Sequence, residues 1–267
     1  MGPRDMQMAT GRRIGGLIAC STHKGLREEN QDRCRYGDLG LYKILVLADG
    51  VTRSLRGGQA ADIAVNTFYD VIKKACDVEE MDNSVFKQAY KATVENLKQV
   101  ANNELSKSEN RLETTIIAVV ESKDRFFITY LGDGRIYLVR GDLEQGIQLM
   151  VTHKVGLALG GVLAPYGLLS KPVYIEHSKS FKAGEVIVAG TDGAFELENE
   201  GQEPVIRQVL NRLKNKNVLQ NNDTLTKTLD TLLQDLASTG SLYDNATIGI
   251  IITEKAKNRL AGEEQVA

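Results

Sequence analysis

Along this chain, short runs of branched and aromatic residues alternate with two longer amphipathic stretches. The strand-like runs fall at Ile14–Ser21, Tyr42–Ala48, Thr114–Glu121, Arg125–Leu131, Ile136–Arg140, Val173–His177, Glu185–Ala189 and Ala246–Thr253. Between the second and third, Ala61, Val65, Phe68, Ile72 and Ala75 fall on one helical face, and Phe86, Ala89, Tyr90, Leu97, Val100 and Ala101 on another. These predict an antiparallel helix pair. A second pair is predicted by the stripe Val205, Ile206, Val209, Leu210, Leu213 and the stripe Leu225, Leu229, Leu232, Leu233, Leu236. The order is strands, two helices, several strands, two helices, one last strand. It lacks the βαβ alternation of a doubly wound sheet and predicts an α+β protein with antiparallel sheets, each helix pair covering a sheet face. No internal repeat, low-complexity tract or Pro-rich linker divides the chain, so a single domain over residues 1–267 is expected. Its core spans about residues 14–253, and residues 255–267 form a short charged tail.

Composition narrows the class without naming it. With 42% hydrophobic and 25% charged residues in 267, the chain reads as a soluble globular protein. A formal charge of -2, spread evenly, gives no basic field and argues against a nucleic-acid partner. The three widely spaced cysteines, Cys20, Cys34 and Cys76, suggest reduced thiols rather than a disulfide framework. No apolar run reaches the roughly 20 residues of a membrane span. The polar N-terminus has no signal-peptide core, and Met6 stands where a myristoylation signal wants Ser or Thr. A soluble, cytoplasmic monomer with no membrane association is the expectation.

The chemistry lies in a recurring pattern, an aspartate directly after an apolar strand. LVLADG carries Asp49-Gly50, TYLGDG carries Asp133-Gly134 and VIVAGTDG carries Asp192-Gly193; Asp244 stands just before the last strand and Asp32 after the first. Carboxylates at strand ends can converge on one edge of a sandwich, where their repulsion calls for a divalent cation. Oxygen-only ligands suit Mg²⁺ or Mn²⁺. The competing reading is that Asp-Gly is also a common hairpin turn, and Gly134 sits between two strands that could form one.

The order of motifs resembles the protein phosphatase 2C family of metal-dependent protein phosphatases, in its bacterial-type form. The matching pieces run from Arg27-Glu28-Glu29-Asn30-Gln31-Asp32 through LADG with GGQAA downstream, Glu113-Thr114-Thr115, GDGRIYLVRGD and GTDGAFE to Asp244-Asn245-Ala246-Thr247. Together they cover nearly the whole chain. The resemblance implies a four-layer αββα sandwich of two antiparallel sheets flanked by helix pairs. It also implies two, or three, Mn²⁺ or Mg²⁺ ions: Asp49 bridging two of them, Gly50 offering its carbonyl to one, Asp192 and Asp244 holding the other, and Asp32 acting through coordinated waters. Asp133, with Glu196 as its partner, matches the acidic residue of a weaker third site, and Arg27 matches the phosphate-binding arginine. The competing reading of Arg27 is a surface salt bridge with Glu28 or Glu29. The implied reaction is hydrolysis of phosphoserine and phosphothreonine in proteins, with a cognate Ser/Thr kinase supplying the substrates.

The sequence departs from that family in places. Val51 stands where many members carry a histidine proposed to protonate the leaving alkoxide, and a general acid is worth roughly 10²- to 10⁴-fold. His23 and His153 are the candidate substitutes. Gln31 replaces a metal-binding glutamate of some relatives. The stretch 151–161, VTHKVGLALGG, is short where the family inserts a mobile flap. Cys20 and Arg27 do not have the spacing of a cysteine-phosphatase loop, and DxDx[TV], G-x-S-x-G and a P-loop are absent. The rival reading is a pseudophosphatase that keeps the fold as a binding module.

Overall fold

The computed structural model describes residues 13–51, 54, 56–78, 81–104, 112–140, 143, 146–150, 153–155, 158–159, 161–179, 184–195 and 204–263. Among these residues, ten strands build two antiparallel sheets. In chain order they are β1 (Gly16–His23), β2 (Arg33–Asp38), β3 (Lys43–Ala48), β4 (Ile116–Glu121), β5 (Arg125–Leu131) and β6 (Arg135–Arg140). They continue with β7 (Gly146–Gln148), β8 (Val173–Ser178), β9 (Glu185–Gly190) and β10 (Ala246–Thr253). One sheet has the order β1-β10-β9-β6-β7 and the other β8-β5-β4-β3-β2.

Period-2 alternation sorts the strand side chains into three layers. On β3, Leu45 and Leu47 face β10 and the opposite sheet, joining Ile117, Val119, Ile128, Ile187 and Ile251 in the sandwich interior. Ile44 and Val46 point the other way, against α1 (Gly57–Val78) and α2 (Asn83–Glu104), where Phe68, Ile72, Phe86 and Leu97 are fully buried. On β10, Ile248, Ile250 and Ile252 meet α4 (Val205–Leu213) and α5 (Asn222–Ser238) through Val209, Leu229 and Leu232. Both faces of the inner strands are therefore covered, which is why β3, β4, β9 and β10 are written as near-continuous apolar runs. The αββα sandwich expected from the motifs is the observed architecture. Two shorter helices complete it: α3 (Asp192–Phe195) directly after β9, and α6 (Glu254–Ala261) directly after β10, the latter occupying the segment read as a tail.

Three features depart from the sequence reading. Strand β2 was not marked because RCRYGD has no apolar run; as a sheet edge it is only half-buried and tolerates charge. Strands β5 and β6, which flank Asp133-Gly134, form no hairpin, since β5 pairs with β4 and β8 while β6 pairs with β9 and β7. The chain crosses there from one sheet to the other. Finally, Cys20 of β1 is bonded to Cys34 of β2, with Cα atoms 6.4 Å apart, so only Cys76 is a free thiol. Reduced thiols were the wrong reading because sequence spacing does not show that β1 and β2 face each other across the two sheets.

Candidate active site

Asp32, Asp49, Asp133, Asp192 and Asp244 lie at one end of the sandwich, because each stands where a strand enters or leaves at that end. Asp49 follows β3, Asp133 sits on the crossing from β5 to β6, and Asp192 opens α3 after β9. Asp32 precedes β2 and Asp244 precedes β10. Among the described residues, carboxylate oxygens of Asp49, Asp133 and Asp192 lie within 4.8 Å of one another.

The three Asp-Gly steps are not hairpin turns. None of Gly50, Gly134 and Gly193 has a positive φ, which a type I′ turn would require. Each glycine instead allows another backbone to pass. A Cβ on Gly50 would lie 2.2 Å from the carbonyl carbon of Gly57, one on Gly134 2.4 Å from Gly190 O, and one on Gly193 2.0 Å from Asn245 O. The glycines are thus what lets three strand ends crowd into one site.

Hydrogen bonds then hold the Asp49 backbone and the Asp32 carboxylate in place. Thr115 Oγ1 accepts from Asp49 N at 3.0 Å, while Thr115 N and Thr114 Oγ1 donate to Asp49 O at 2.8 and 2.9 Å. Asp32 is wholly buried. Its Oδ2 accepts from Thr191 and Thr247, both at 2.8 Å, and its Oδ1 has no hydrogen-bond partner. Burial raises the Asp32 carboxyl to about 6, against the pull of those two hydroxyls and with a further push from Asp244. Burial also raises Asp49 well above the carboxylate range, reinforced by Asp32, Asp192 and Asp133. A buried acceptor without a donor, beside carboxylates that raise one another, fits a divalent cation. The donors are all oxygen, as hard cations such as Mg²⁺ or Mn²⁺ prefer.

Asp244 stands outside the close triad. Its Oδ2 accepts from Arg27 Nη2 at 2.7 Å and its Oδ1 from Asn245 N at 2.8 Å. Arg27 thus pairs with Asp244 rather than with Glu28 or Glu29, and both lie in an open cleft of about 300 Å³. The loop bearing Arg27 is fastened by Asn245, which accepts from Gln31 N at 2.8 Å and donates to the carbonyls of Lys24 and Glu29 at 2.9 and 2.8 Å. Asn245 entered the sequence reading only as a letter in a motif, and Thr191 and Thr247 carried no role there. Their partners lie 214, 159 and 215 residues away in sequence, so no local signal could have found them.

The other candidates fall into place around this end. Val51 presents an aliphatic side chain after Gly50, and its N–H is bound to Glu113 O at 3.0 Å. His23 accepts from Gly25 N at 3.0 Å, and His153 packs on Tyr130 and hydrogen-bonds the backbone of Gly132. Both histidines thus serve local structure. Glu196 lies outside the described residues. Where a flap was expected to be short, Lys154–Val155 pairs with Ala158–Leu159, and Leu163–Ala164 pairs with Gly167–Leu168. The second hairpin is fastened to the site by a Leu163–Thr114 bridge and by Tyr166 Oη donating to Glu113.

A sandwich of two antiparallel sheets, with carboxylates gathered at one end and a guanidinium at the rim, suits a protein that uses divalent cations on an anionic substrate. The family profile described as protein phosphatase 2C matches residues 21–234, and the chain belongs to that family. Solved structures share the fold at low identity. The serine/threonine phosphatase Stp1 from Staphylococcus aureus is 17% identical, with a TM-score of 0.66 over 95% of this chain and all (100%) of that one. The Mycobacterium tuberculosis serine/threonine phosphatase PstP/Ppp is 17% identical, with a TM-score of 0.63 over 89% of this chain and 98% of that one. A structure of the PstP catalytic domain in complex with two manganese ions is 16% identical, with a TM-score of 0.61 over 89% and 98%. A comparison with curated proteins gave no significant match.

Proposed function

We propose that this chain hydrolyses phosphoserine and phosphothreonine in proteins at the carboxylate end of its sandwich. The observation that carries the reading is the triad Asp49, Asp133 and Asp192 within 4.8 Å beside the unpartnered Asp32 Oδ1. Asp49, Asp133 and Asp192, with the Gly50 carbonyl, would hold two or three Mn²⁺ or Mg²⁺ ions, with Asp32 supporting them from beneath and Asp244 joining from the rim. When bound, the cations supply a nucleophilic water at neutral pH and positive charge for the phosphoryl oxygens. The protein's own groups do the rest. Arg27 offers a planar fork to two phosphate oxygens, Asp244 aims that fork, and Asn245 fixes the loop that carries it. Val51 cannot give a proton to the departing oxygen, so esters whose leaving group needs none should suffer less.

Phosphoproteins are the substrate class that the family carries. We further propose a cognate Ser/Thr kinase as their source, a single-domain monomer as the working unit, and the cytoplasm as its location, since an ATP-dependent kinase works there. Among the described residues no helix is long and apolar enough to cross a membrane. In a reducing compartment the Cys20–Cys34 bond would be open to reduction. A pseudophosphatase is the less favoured reading, because an inactive scaffold gains nothing from mutually repelling buried carboxylates.

The test is hydrolysis of para-nitrophenyl phosphate and of a phosphothreonine peptide, with Mn²⁺, with EDTA, and for Asp192→Ala. The expected outcome is turnover with Mn²⁺, abolished by EDTA and by the substitution, with the aryl ester favoured. Folded, Mn²⁺-loaded protein that hydrolyses neither substrate would sink the proposal.

A further inference from the structure

The bond between Cys20 and Cys34 closes a ring of chain that contains Arg27, Asn30, Gln31 and Asp32. Its two ends lie on β1 and β2, which belong to different sheets, so the base of the ring is tied by sulfur and not by a strand ladder. Contacts inside the ring carry the position of that base to the site. Near the Cys20 end, Thr22 Oγ1 accepts from Asn30 Nδ2 at 2.9 Å; toward the Cys34 end, Asn30 Oδ1 accepts from Asp32 N at 3.1 Å. Gln31 O accepts from Gly50 N at 3.3 Å, which links the ring to the Asp49-Gly50 step. Arg27 itself is held by Asp244 in a pair whose side chains are 42% and 39% exposed, where solvent screens the attraction.

The two sulfurs differ in access. Cys20 is 7% exposed and packs into the sandwich interior, whereas Cys34 is half-buried on an edge strand. A thiolate arriving from solvent therefore meets Cys34 first. Its attack on Cys34 Sγ forms a mixed disulfide and releases Cys20 as a thiolate, which takes up a proton. The second thiol of a dithiol then displaces Cys34 and closes the reductant's own disulfide. Two electrons pass from the dithiol to the protein, and two thiols replace the bond. Cys76, on α1, is the remaining thiol; burial pushes it up to about 12, so it stays protonated and takes no part in the exchange.

We propose that the Cys20–Cys34 bond is a reversible redox modification site for cellular dithiols, and that opening it loosens the Arg27 loop and weakens the capture of phosphate. The inference rests on Arg27 as the phosphate-binding group of the function proposed above. In the cytoplasm proposed for this chain a disulfide is usually transient, which suits a bond placed at the base of a binding loop.

The test compares the full chain in its oxidised form with the same chain reduced by dithiothreitol and desalted without air. In metal-free protein, amides of residues 24–32 should exchange at least about threefold faster in the reduced form, with β9 and β10 unchanged. With Mn²⁺ added, KM for para-nitrophenyl phosphate should rise about threefold or more while kcat stays within about twofold, as expected of a contact made equally to substrate and transition state. Glutathione disulfide should reverse both changes. Cys34→Ser should behave as the reduced form under either condition, and Cys76→Ser should respond like the wild type. Equal loop exchange in the two forms overturns the proposal. So does acceleration shared equally by β9 and β10, an unchanged KM, or a response lost in Cys76→Ser. If neither form turns over, it is the proposed function that fails, and loop exchange alone decides the redox site.

Discussion

Single residues at the carboxylate end are constrained by backbone contact and by buried charge. At Gly50 the obstacle to a side chain is the Gly57 carbonyl carbon at 2.2 Å, which cannot swing aside as a flexible side chain could. Gly50→Ala is therefore expected to displace the start of α1 or the Asp49 step. Thermal denaturation should show a loss of about 2 kcal/mol or more, with activity lost further than stability explains; an unchanged melting curve would contradict it. Asp32 sets a pH dependence. Its carboxyl is raised from 3.8 in the unfolded chain to about 6 in the folded one, mainly by burial. The folded state therefore holds the proton more tightly, so this contribution to stability is complete below about 3.8, declines between about 4 and 6, and is lost above. Asp49, also raised, acts in the same direction. In metal-free protein, Asp32→Asn should gain stability relative to the wild type as pH rises through that window, measured by urea unfolding. A difference that stays flat from pH 4 to 7 would show that Asp32 is not buried in this way. These aspartates were legible in the sequence because each follows or precedes an apolar run. The glycines after them were legible as residues but not as crossings, because only the fold shows which backbone each one meets.

At the scale of elements, the strongest local test lies where β3 and β4 begin and end. Lys43 and Glu121 are buried together, and among the described residues Lys179 is the other cation paired with that carboxylate. Glu121→Ala leaves two ammonium groups without a counter-charge, one of them wholly buried, and should cost about 3–5 kcal/mol in chemical denaturation. Lys43→Met removes a buried charge while Glu121 keeps Lys179, and should cost clearly less. Equal losses would mean that packing rather than charge holds this corner. Helices α1, α2, α4 and α5 and the inner strands were legible because a face buried for many residues writes a long periodic signal. Strand β2 was not, since Arg33, Arg35 and Asp38 on a half-buried edge erase the period. The small hairpins after β7 were not either, because two-residue pairings leave no pattern.

For the whole molecule, the bond between Cys20 and Cys34 joins the two sheets across a sequence separation of 14 residues. A loop of that size restricts the unfolded chain by roughly 3 kcal/mol. Reduction should lower the melting temperature, and thiol trapping in denaturant before and after reduction should show one free cysteine becoming three. An identical melting temperature in the reduced protein, or three thiols trapped without reductant, would contradict the bond. The αββα layering follows from the order of elements. The pairing of these cysteines, like the hydrogen bonds of Asn245, belongs to contacts that only the docked sheets create.

That docking gives the carboxylate end a second meaning. Asp32 and Asp49 flank strands of one sheet, Asp192 and Asp244 flank strands of the other, and Asp133 lies on the chain that passes between them. An ion held there would be a clasp on a seam, and its affinity would measure how firmly the two halves are closed. Stripping it away should quicken amide exchange first along the mouth of that seam, in β2 and the loop after β1, while the strands on either side remain intact.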